Sequence, residues 1–433
     1  MTALRDLSRD ALAAFHRDAE ARYAAYCARG LHLDMTRGKP SAEQLDLSNA
    51  LLDLPGWGNY RTADGGDARN YYGDLTGLPE ARAILGPMLG APPELTLVGD
   101  NSSLALMHDA LAFARLFGVP GGSGPWAAGA ATFLCPAPGY DRHFALCEGF
   151  GIRMVPVALT GRGPDMDAVE RLAASDPAIK GIWCVPKYSN PTGETYSDEV
   201  VARLARMTTA APDFRIFWDN AYAVHHLAEA RPVLADLLAA CADAGHPNRV
   251  LMFGSTSKIT FAGAGLSLLA ASPANLAWFT RHLARRTIGP DKLNQLRHVK
   301  LLQDVGGIHA LMERHRRLLA PKFRAVDETL GRLLGAAGVA TWTRPEGGYF
   351  VSLDVMDGCA KRVVALATTA GIAMVPAGRT WPYGDDPRDT NIRLAPSFPS
   401  VGEVTQAIEG IALATLLAAS ELLLRQHNTA PAK

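Results

Sequence analysis

The chain has 433 residues, and its 43 Lys+Arg balance 43 Asp+Glu to a formal net charge of zero. No global field gathers polyanions, which argues against nucleic acid or a membrane surface as a partner. Hydrophobic residues make up 48% and charged residues 20%, so a large core is expected and extensive disorder is not. The length points to two domains, or one large domain with a smaller companion. Cys27, Cys135, Cys147, Cys184, Cys241 and Cys359 are scattered without a paired spacing, which speaks against a disulfide framework. No run of 18 uninterrupted apolar residues occurs, and the start carries acids without a cleavage-like site. A soluble, cytoplasmic protein is expected.

In chain order, Leu7, Leu12, Phe15 and Tyr23 have helical spacing and predict an amphipathic opening helix ending at Gly30. A Pro/Gly-rich extended segment follows from Met35 to Pro55. Between residues 94 and 272, short apolar runs alternate with helical stretches: Glu94–Gly99, Thr132–Cys135, Ile152–Leu159, Gly181–Val185, Phe214–Trp218, Val250–Phe253 and Leu266–Ala271. Several are almost continuously apolar, as strands covered on both faces must be, and the alternation predicts a mostly parallel α/β sheet. Gly118–Gly129 reads as a flexible surface loop. A long helix is predicted from Ala310 to about Leu334, then an alternating stretch Gly348–Leu353, a further helix, a short strand Ile392–Leu394 and an apolar helix Val404–Leu424. The expected division is 1–45 as helix and arm of a small domain, 46–309 as a large domain with the sheet, and 310–433 as the rest of a smaller α+β domain.

Ligands of open parallel sheets sit beyond the carboxyl ends of the strands. After the predicted strands stand Asp100-Asn101-Ser102-Ser103, Pro138-Gly139-Tyr140, Lys187-Tyr188-Ser189-Asn190-Pro191-Thr192-Gly193, Asp219-Asn220-Ala221-Tyr222 and Ser255-Thr256-Ser257-Lys258. Ser102 and Ser103 open a helix, where free N–H groups favour an anion such as a phosphate; the same pair also reads as simple N-caps. Ser255 and Ser257 add hydroxyl donors, or are turn residues. Asp219 ends an apolar strand, where a buried carboxylate requires a partner: a protonated ring nitrogen, a helix cap or a salt bridge. Lys258 closes another such strand. Desolvation lowers a lysine's pKa, and a neutral amine can form a Schiff base with an aldehyde.

Tyr72-Gly73 with Gly77-Leu78, Asn190-Pro191-Thr192-Gly193, Asp219-x-x-Tyr222, Ser255-x-Ser257-Lys258 and Ile392-Arg393-Leu394-Ala395-Pro396 together resemble the fold-type I, pyridoxal-phosphate-dependent aminotransferases of classes I and II. Order and approximate spacing match over residues 35 to 400. Arg37-Gly38-Lys39-Pro40-Ser41 and Gly289-Pro290-Asp291-Lys292-Leu293-Asn294-Gln295 look more narrowly like a bacterial subgroup of aspartate aminotransferases related to the catalytic domain of MocR-type regulators.

The resemblance implies that Lys258 holds pyridoxal 5'-phosphate as a Schiff base and, once released, moves the proton between the substrate Cα and the cofactor. Asp219 would pair with the ring nitrogen, Tyr140 stack on the ring, and Asn190 and Tyr222 bond its phenolic oxygen. Ser102, Ser103, Ser255 and Ser257 would hold the phosphate, joined by Tyr72 from a second subunit of a homodimer. Arg393 would fork the substrate α-carboxylate, and Gly38 lie along the substrate. Leu266 occupies the position, eight residues after the lysine, where many relatives carry a phosphate-binding arginine.

The implied reaction is ping-pong amino transfer between an L-amino acid and a 2-oxo acid, foremost aspartate and 2-oxoglutarate. Arg37, Lys39, Lys292 and Arg297 are the candidate cations for a distal carboxylate. Aromatic substrates would instead need an apolar pocket, for which Trp381 and Tyr383 are candidates, and a β-eliminating lyase on the same fold is the remaining alternative. No HExxH occurs, and His225 and His226 are adjacent, so no metal site is expected.

Overall fold

The computed structural model describes residues 3–71 and 73–429. Seven strands form the main sheet: β1 (Thr96–Val98), β2 (Thr132–Ala137), β3 (Arg153–Ala158), β4 (Ile179–Cys184), β5 (Arg215–Asp219), β6 (Val250–Ser255) and β7 (Ser267–Ala271). Their spatial order is β1-β7-β6-β5-β4-β2-β3. The pairs from β6 through β5, β4 and β2 to β3 are parallel, and β7 is antiparallel to both its neighbours. All seven runs expected from the sequence are therefore strands of one sheet.

The continuous apolar character of these runs follows from burial on both faces. In β5, Ile216 and Trp218 join the apolar cluster on one face while Phe217 joins the cluster on the other, as the two-residue period of a strand requires. One face carries α2 (Ser103–Phe117) and α3 (Asp141–Gly149). The opposite face carries α4 (Lys292–Leu302) and the start of α5 (Val305–Leu334).

A third apolar cluster unites the N-terminal helix α1 (Arg9–Cys27) with the C-terminal part of the chain. There β8 (Ala340–Trp342), β9 (Val351–Val355) and β10 (Asn391–Leu394) form an antiparallel sheet with β9 in the middle. Leu33–Asp34 pairs in parallel with Ile372–Ala373, which ties the extended N-terminal segment to this unit. The last helix, α6 (Val401–Thr429), is long and apolar enough to cross a membrane by length and composition alone. Its apolar side chains are occupied within the protein: Val404, Ile408 and Ile411 are all fully buried.

Three sequence expectations need adjustment. Helix α5 begins five residues before Ala310, because Asp304 caps it by accepting from the Gly307 N–H at 2.8 Å, a start disguised by the Gly306-Gly307 pair. Helix α6 begins at Val401, where Ser400 and Glu403 hydrogen-bond each other's backbone N–H in a capping box. The segment 118–129 is not simply a flexible loop. Trp126 within it is 2% exposed, and its indole N–H donates to Asp213 Oδ2 at 2.8 Å.

Asp213 is itself buried, and its other oxygen accepts from Lys180. Trp126→Phe keeps most of the apolar contact and leaves one carboxylate oxygen without its donor. The expected loss is about 1–3 kcal/mol, read from urea unfolding. An unchanged unfolding midpoint would show that the loop is not anchored through this bond.

Candidate active site

A cavity of about 570 Å³ opens beyond the carboxyl ends of the parallel strands. Its wall includes Arg37, Gly38, Lys39, Ser103, Tyr140, Asn190, Asp219, Tyr222, Lys258 and Arg393, residues separated by up to 356 positions in sequence. Ser102, Ser255 and Ser257 are not on that wall. Ser102 caps α2 by accepting from the Ala105 N–H, Ser255 Oγ accepts from the Ser257 N–H, and Ser257 Oγ donates to the Asn101 carbonyl. The three hydroxyls thus gather around the start of α2, beside Ser103. Tyr72 lies outside the described residues. Leu266 is fully buried, and its N–H is held by Thr256 Oγ1 at 2.8 Å, so no cation stands at that position.

Asp219 terminates β5 and is 3% exposed. Its Oδ2 lies 3.0 Å from His143 Nε2, while Oδ1 is buried with no partner. His143 is fixed in turn by stacking on Trp183 of β4, with ring centroids 4.2 Å apart and planes 7° from parallel. A charged buried oxygen without a donor is costly. Asp219 lines the cavity, and a cationic N–H donor reaching this oxygen would satisfy it.

Lys258 lies in the turn after β6, its ammonium 5.0 Å from the centroid of the Tyr222 ring. Burial lowers its pKa, and the negative charge of Asp219 partly opposes that shift. Its carbonyl accepts from the Tyr349 hydroxyl at 3.3 Å, and Tyr349 accepts from Gln44 Nε2 at 2.9 Å. Burial pushes the Tyr140 phenol up to about 12, with Asp219 and Asp141 adding to the shift. Tyr222 is raised well above its usual value, again chiefly by burial. Both phenols stay protonated and able to donate near neutral pH.

Arg393, on β10, approaches Asn190 Oδ1 at 3.5 Å and Asp141 Oδ1 at 3.2 Å. Its guanidinium lies 4.8 Å from the Phe350 ring centroid, and its Nε is buried without a partner. Gly38 passes over the same ring so closely that a Cβ at this position would stand 2.3 Å from Phe350 Cζ. Any larger residue here would force the buried Phe350 ring to shift. Lys39 places its ammonium 4.0 Å from the Phe398 ring centroid. Of the other cations considered from sequence, Lys292 donates to the Asp74 carbonyl, and neither it nor Arg297 reaches the cavity wall. Trp381 and Tyr383 are also absent from the wall; the Tyr383 hydroxyl accepts from the Met154 N–H at 2.8 Å.

Sequence reasoning missed His143, Asp141, Arg142 and Arg379, although Asp141, Arg142 and Arg379 line the cavity and His143 holds Asp219. His143 stands three positions after Tyr140, on the first turn of α3, so one helical turn from a strand-end residue is the available signal. Arg379 lies 3.7 Å from Asp141 Oδ2, an ion pair with no local sequence mark.

The segment Gly289–Gln295 works from behind the site. Gln295 accepts from the Leu78 N–H at 2.7 Å and donates to the Val98 carbonyl at 2.9 Å, while Asn294 donates to the Ala264 and Gly265 carbonyls. Helix α4 thereby joins the end of β1 to the loop that follows Lys258.

Asp219→Asn preserves an acceptor for His143 and removes the charge from the unpaired oxygen. Without added cofactor this variant is expected to be about 1–3 kcal/mol more stable in urea unfolding. A loss of stability would mean that attraction within the His143–Asp219 pair exceeds the cost of burying the charge.

The aspartate amino-transferase family model matches residues 7–427 of the chain. A relative from Mycolicibacterium smegmatis is 56% identical over 421 residues, spanning 96% of this chain and 98% of its own. The aspartate aminotransferase of Corynebacterium glutamicum is 48% identical over 419 residues, spanning 96% of each chain. The crystal structure of an aspartate transaminase from Corynebacterium glutamicum superposes with a TM-score of 0.95 at 47% identity, covering 98% of this chain and 99% of that one. The α-aminoadipate aminotransferase of Thermus thermophilus, solved with N-(5'-phosphopyridoxyl)-L-leucine, shares the fold at a TM-score of 0.72 and 23% identity, covering 94% of this chain and 98% of that one. With the family model spanning nearly its whole length, the chain belongs to the aspartate aminotransferase family and is a transaminase of the fold-type I architecture.

Proposed function

We propose that the chain transfers the amino group of L-aspartate to 2-oxoglutarate by a ping-pong mechanism, with pyridoxal phosphate held at Lys258. The observation that carries this reading is the unpartnered Oδ1 of Asp219, a residue that lines one cavity together with Lys258 and Arg393. That oxygen is the acceptor a protonated pyridine nitrogen needs, and no described residue of the chain uses it. When bound, pyridoxal phosphate supplies an electron sink that delocalises the carbanion left by deprotonation of the substrate Cα.

The chain's own residues supply position and proton movement. Lys258, with its pKa lowered by burial, would provide the amine that takes the proton from the substrate Cα and delivers it to the cofactor carbon two bonds away. Asp219, backed by His143, would set its carboxylate against the ring nitrogen and keep that nitrogen protonated. Tyr140 covers one ring face, and Asn190 and Tyr222 donate to the phenolic oxygen. The N-terminus of α2, with Ser102, Ser103, Ser255 and Ser257, receives the phosphate, and Tyr72 of a second subunit joins it. Arg393 binds the α-carboxylate through parallel N–H donors, for which its free Nε is available. Gly38 lies along the substrate, and Arg37 and Lys39 meet the distal carboxylate. Apart from Lys258, the cavity wall holds five cationic side chains against two carboxylates, which favours a dicarboxylate over an aromatic substrate. We further propose a cytoplasmic homodimer divided at residues 45 and 309.

Purified protein with pyridoxal phosphate, L-aspartate and 2-oxoglutarate should form oxaloacetate. Release of pyruvate and ammonia from serine or cystathionine in its place would assign β-elimination. Lys258→Ala should lower kcat by at least about 10²-fold. Arg393→Lys should cost about 10- to 100-fold in kcat/KM for every amino acid. Arg37→Ala should raise KM for aspartate and leave that for phenylalanine unchanged; equal effects on both would remove Arg37 from the distal site.

The direction of the Lys258 shift sets a pH dependence. Capture of pyridoxal phosphate requires the neutral amine, so its rate falls as pH drops through the lysine's pKa. Because burial lowers that pKa, the midpoint should lie below the value of about 10.4 for a free lysine. A midpoint at the free value would contradict the buried amine.

A further inference from the structure

A second cavity, of about 280 Å³, lies on the other side of the main sheet from Asp219. Trp218 and Asn220, the neighbours of Asp219, both line it, as the alternation of a strand dictates. The irregular segment 230–236 and the first turn of α5 close it from outside, contributing Leu234 and Ile308 to its wall.

Two buried polar groups on this wall lack the partners their chemistry calls for. The Lys187 side chain is attached to the stretch after β4, and the residue is 7% exposed. Its ammonium has three donors, of which the Ala223 carbonyl takes one at 2.9 Å. Burial alone lowers its pKa to about 8, with no carboxylate contributing. Asn220 is 5% exposed, and its Oδ1 is buried without a hydrogen bond. Arg231, 3.9 Å from Glu313, also lines this cavity, and His226 on the same wall is held neutral by burial, which lowers its pKa to about 4. The carboxylate on this wall, Asp236, is engaged in capping the next helix through the Ala239 N–H.

A cavity with a buried ammonium that no carboxylate pairs at one end and Trp218, Leu234 and Ile308 elsewhere suits one kind of ligand. We propose that it binds a small carboxylate with an apolar body, the carboxylate on Lys187 and the body against Trp218 and Ile308. Inorganic phosphate fits less well, because most of its oxygens would face apolar wall. This site is separate from the transaminase cavity and uses none of its residues.

The test is calorimetric titration of 4-methylpentanoate, which has no amino or oxo group to turn over, into the cofactor-loaded Arg393→Ala protein. That variant lacks the guanidinium proposed for substrate carboxylates, so binding reports the second cavity and does not depend on activity. One site per chain is expected, weakened at least ~10-fold by adding Lys187→Met. Leu234→Trp fills the cavity while leaving the charged groups in place, and should abolish the binding equally. Absence of binding up to about 20 mM would overturn the proposal. Binding that survives both Lys187→Met and Leu234→Trp, or phosphate binding more tightly than 4-methylpentanoate, would overturn it too.

Discussion

A carboxylate at the end of a buried strand is the constraint around which this protein is organised. Transferring such a charge from water costs several kcal/mol, and the cost is tolerated only where surrounding groups offset it. His143 offsets part of it through one oxygen of Asp219 and leaves the other buried without a partner. That arrangement draws on three elements at once. The β5 strand carries the acid, α3 carries the imidazole, and Trp183 of β4 fixes the imidazole plane by stacking. Parallel pairing of β4 and β5 sets the distance between the acid and the indole. The sheet is thus a scaffold for one polarised group as much as a means of burying apolar surface.

Lys258 is placed by contacts from both ends of the chain. Its carbonyl is held by Tyr349, which is held by Gln44 from the N-terminal segment, and that segment is tied to the C-terminal unit through Leu33 and Ile372. The close passage of Gly38 over Phe350 adds a steric condition to the same region. From the other side, Gln295 and Asn294 hold the end of β1 and the loop after the lysine. A similar approach occurs at Gly77, where φ is +90° and a Cβ would stand 2.6 Å from the Val98 carbonyl. The short motifs noted in the sequence are therefore joints, each fixing two parts of the site to one another.

The legibility of these features in the sequence depends on their range. Six of the seven strands are readable because burial on both faces imposes a run of apolar residues, a purely local mark, while the edge strand β3 is apolar in sequence but alternates between buried and exposed positions. Strand ends locate Tyr140, Asn190, Asp219 and Lys258 on the same reasoning, and all four share the cavity. Capping is harder to read: Asp304 lies before two glycines that resemble a turn, and Trp126 sits in a glycine-rich stretch whose composition conceals an anchored ring. Arg379 and Asp141 are invisible because their pairing joins positions 238 residues apart. The motif around Lys292 suggests a place in the site, yet its ammonium turns to Asp74, since a long side chain can meet any acceptor within reach.

The charge of the whole chain and the charge of its cavity point in different directions, and the contrast bears on specificity. The chain is neutral overall, so the concentration of Arg37, Lys39, Arg142, Arg379 and Arg393 around Asp141 and Asp219 is a local arrangement. A phosphate monoester brings about −1.5 to −2 charges and a dicarboxylate a further pair. Those two ligands together match the local excess of cations far better than either would alone. Asp141 makes the balance adjustable, because it is shared by Arg393 and Arg379. If a substrate carboxylate takes over Arg393 as proposed, Asp141 is freed to pair more fully with Arg379, and neither guanidinium is left bare in a low-dielectric site. A monocarboxylate achieves only half of that compensation, and the physical basis for preferring a second negative group is already built into the cavity wall.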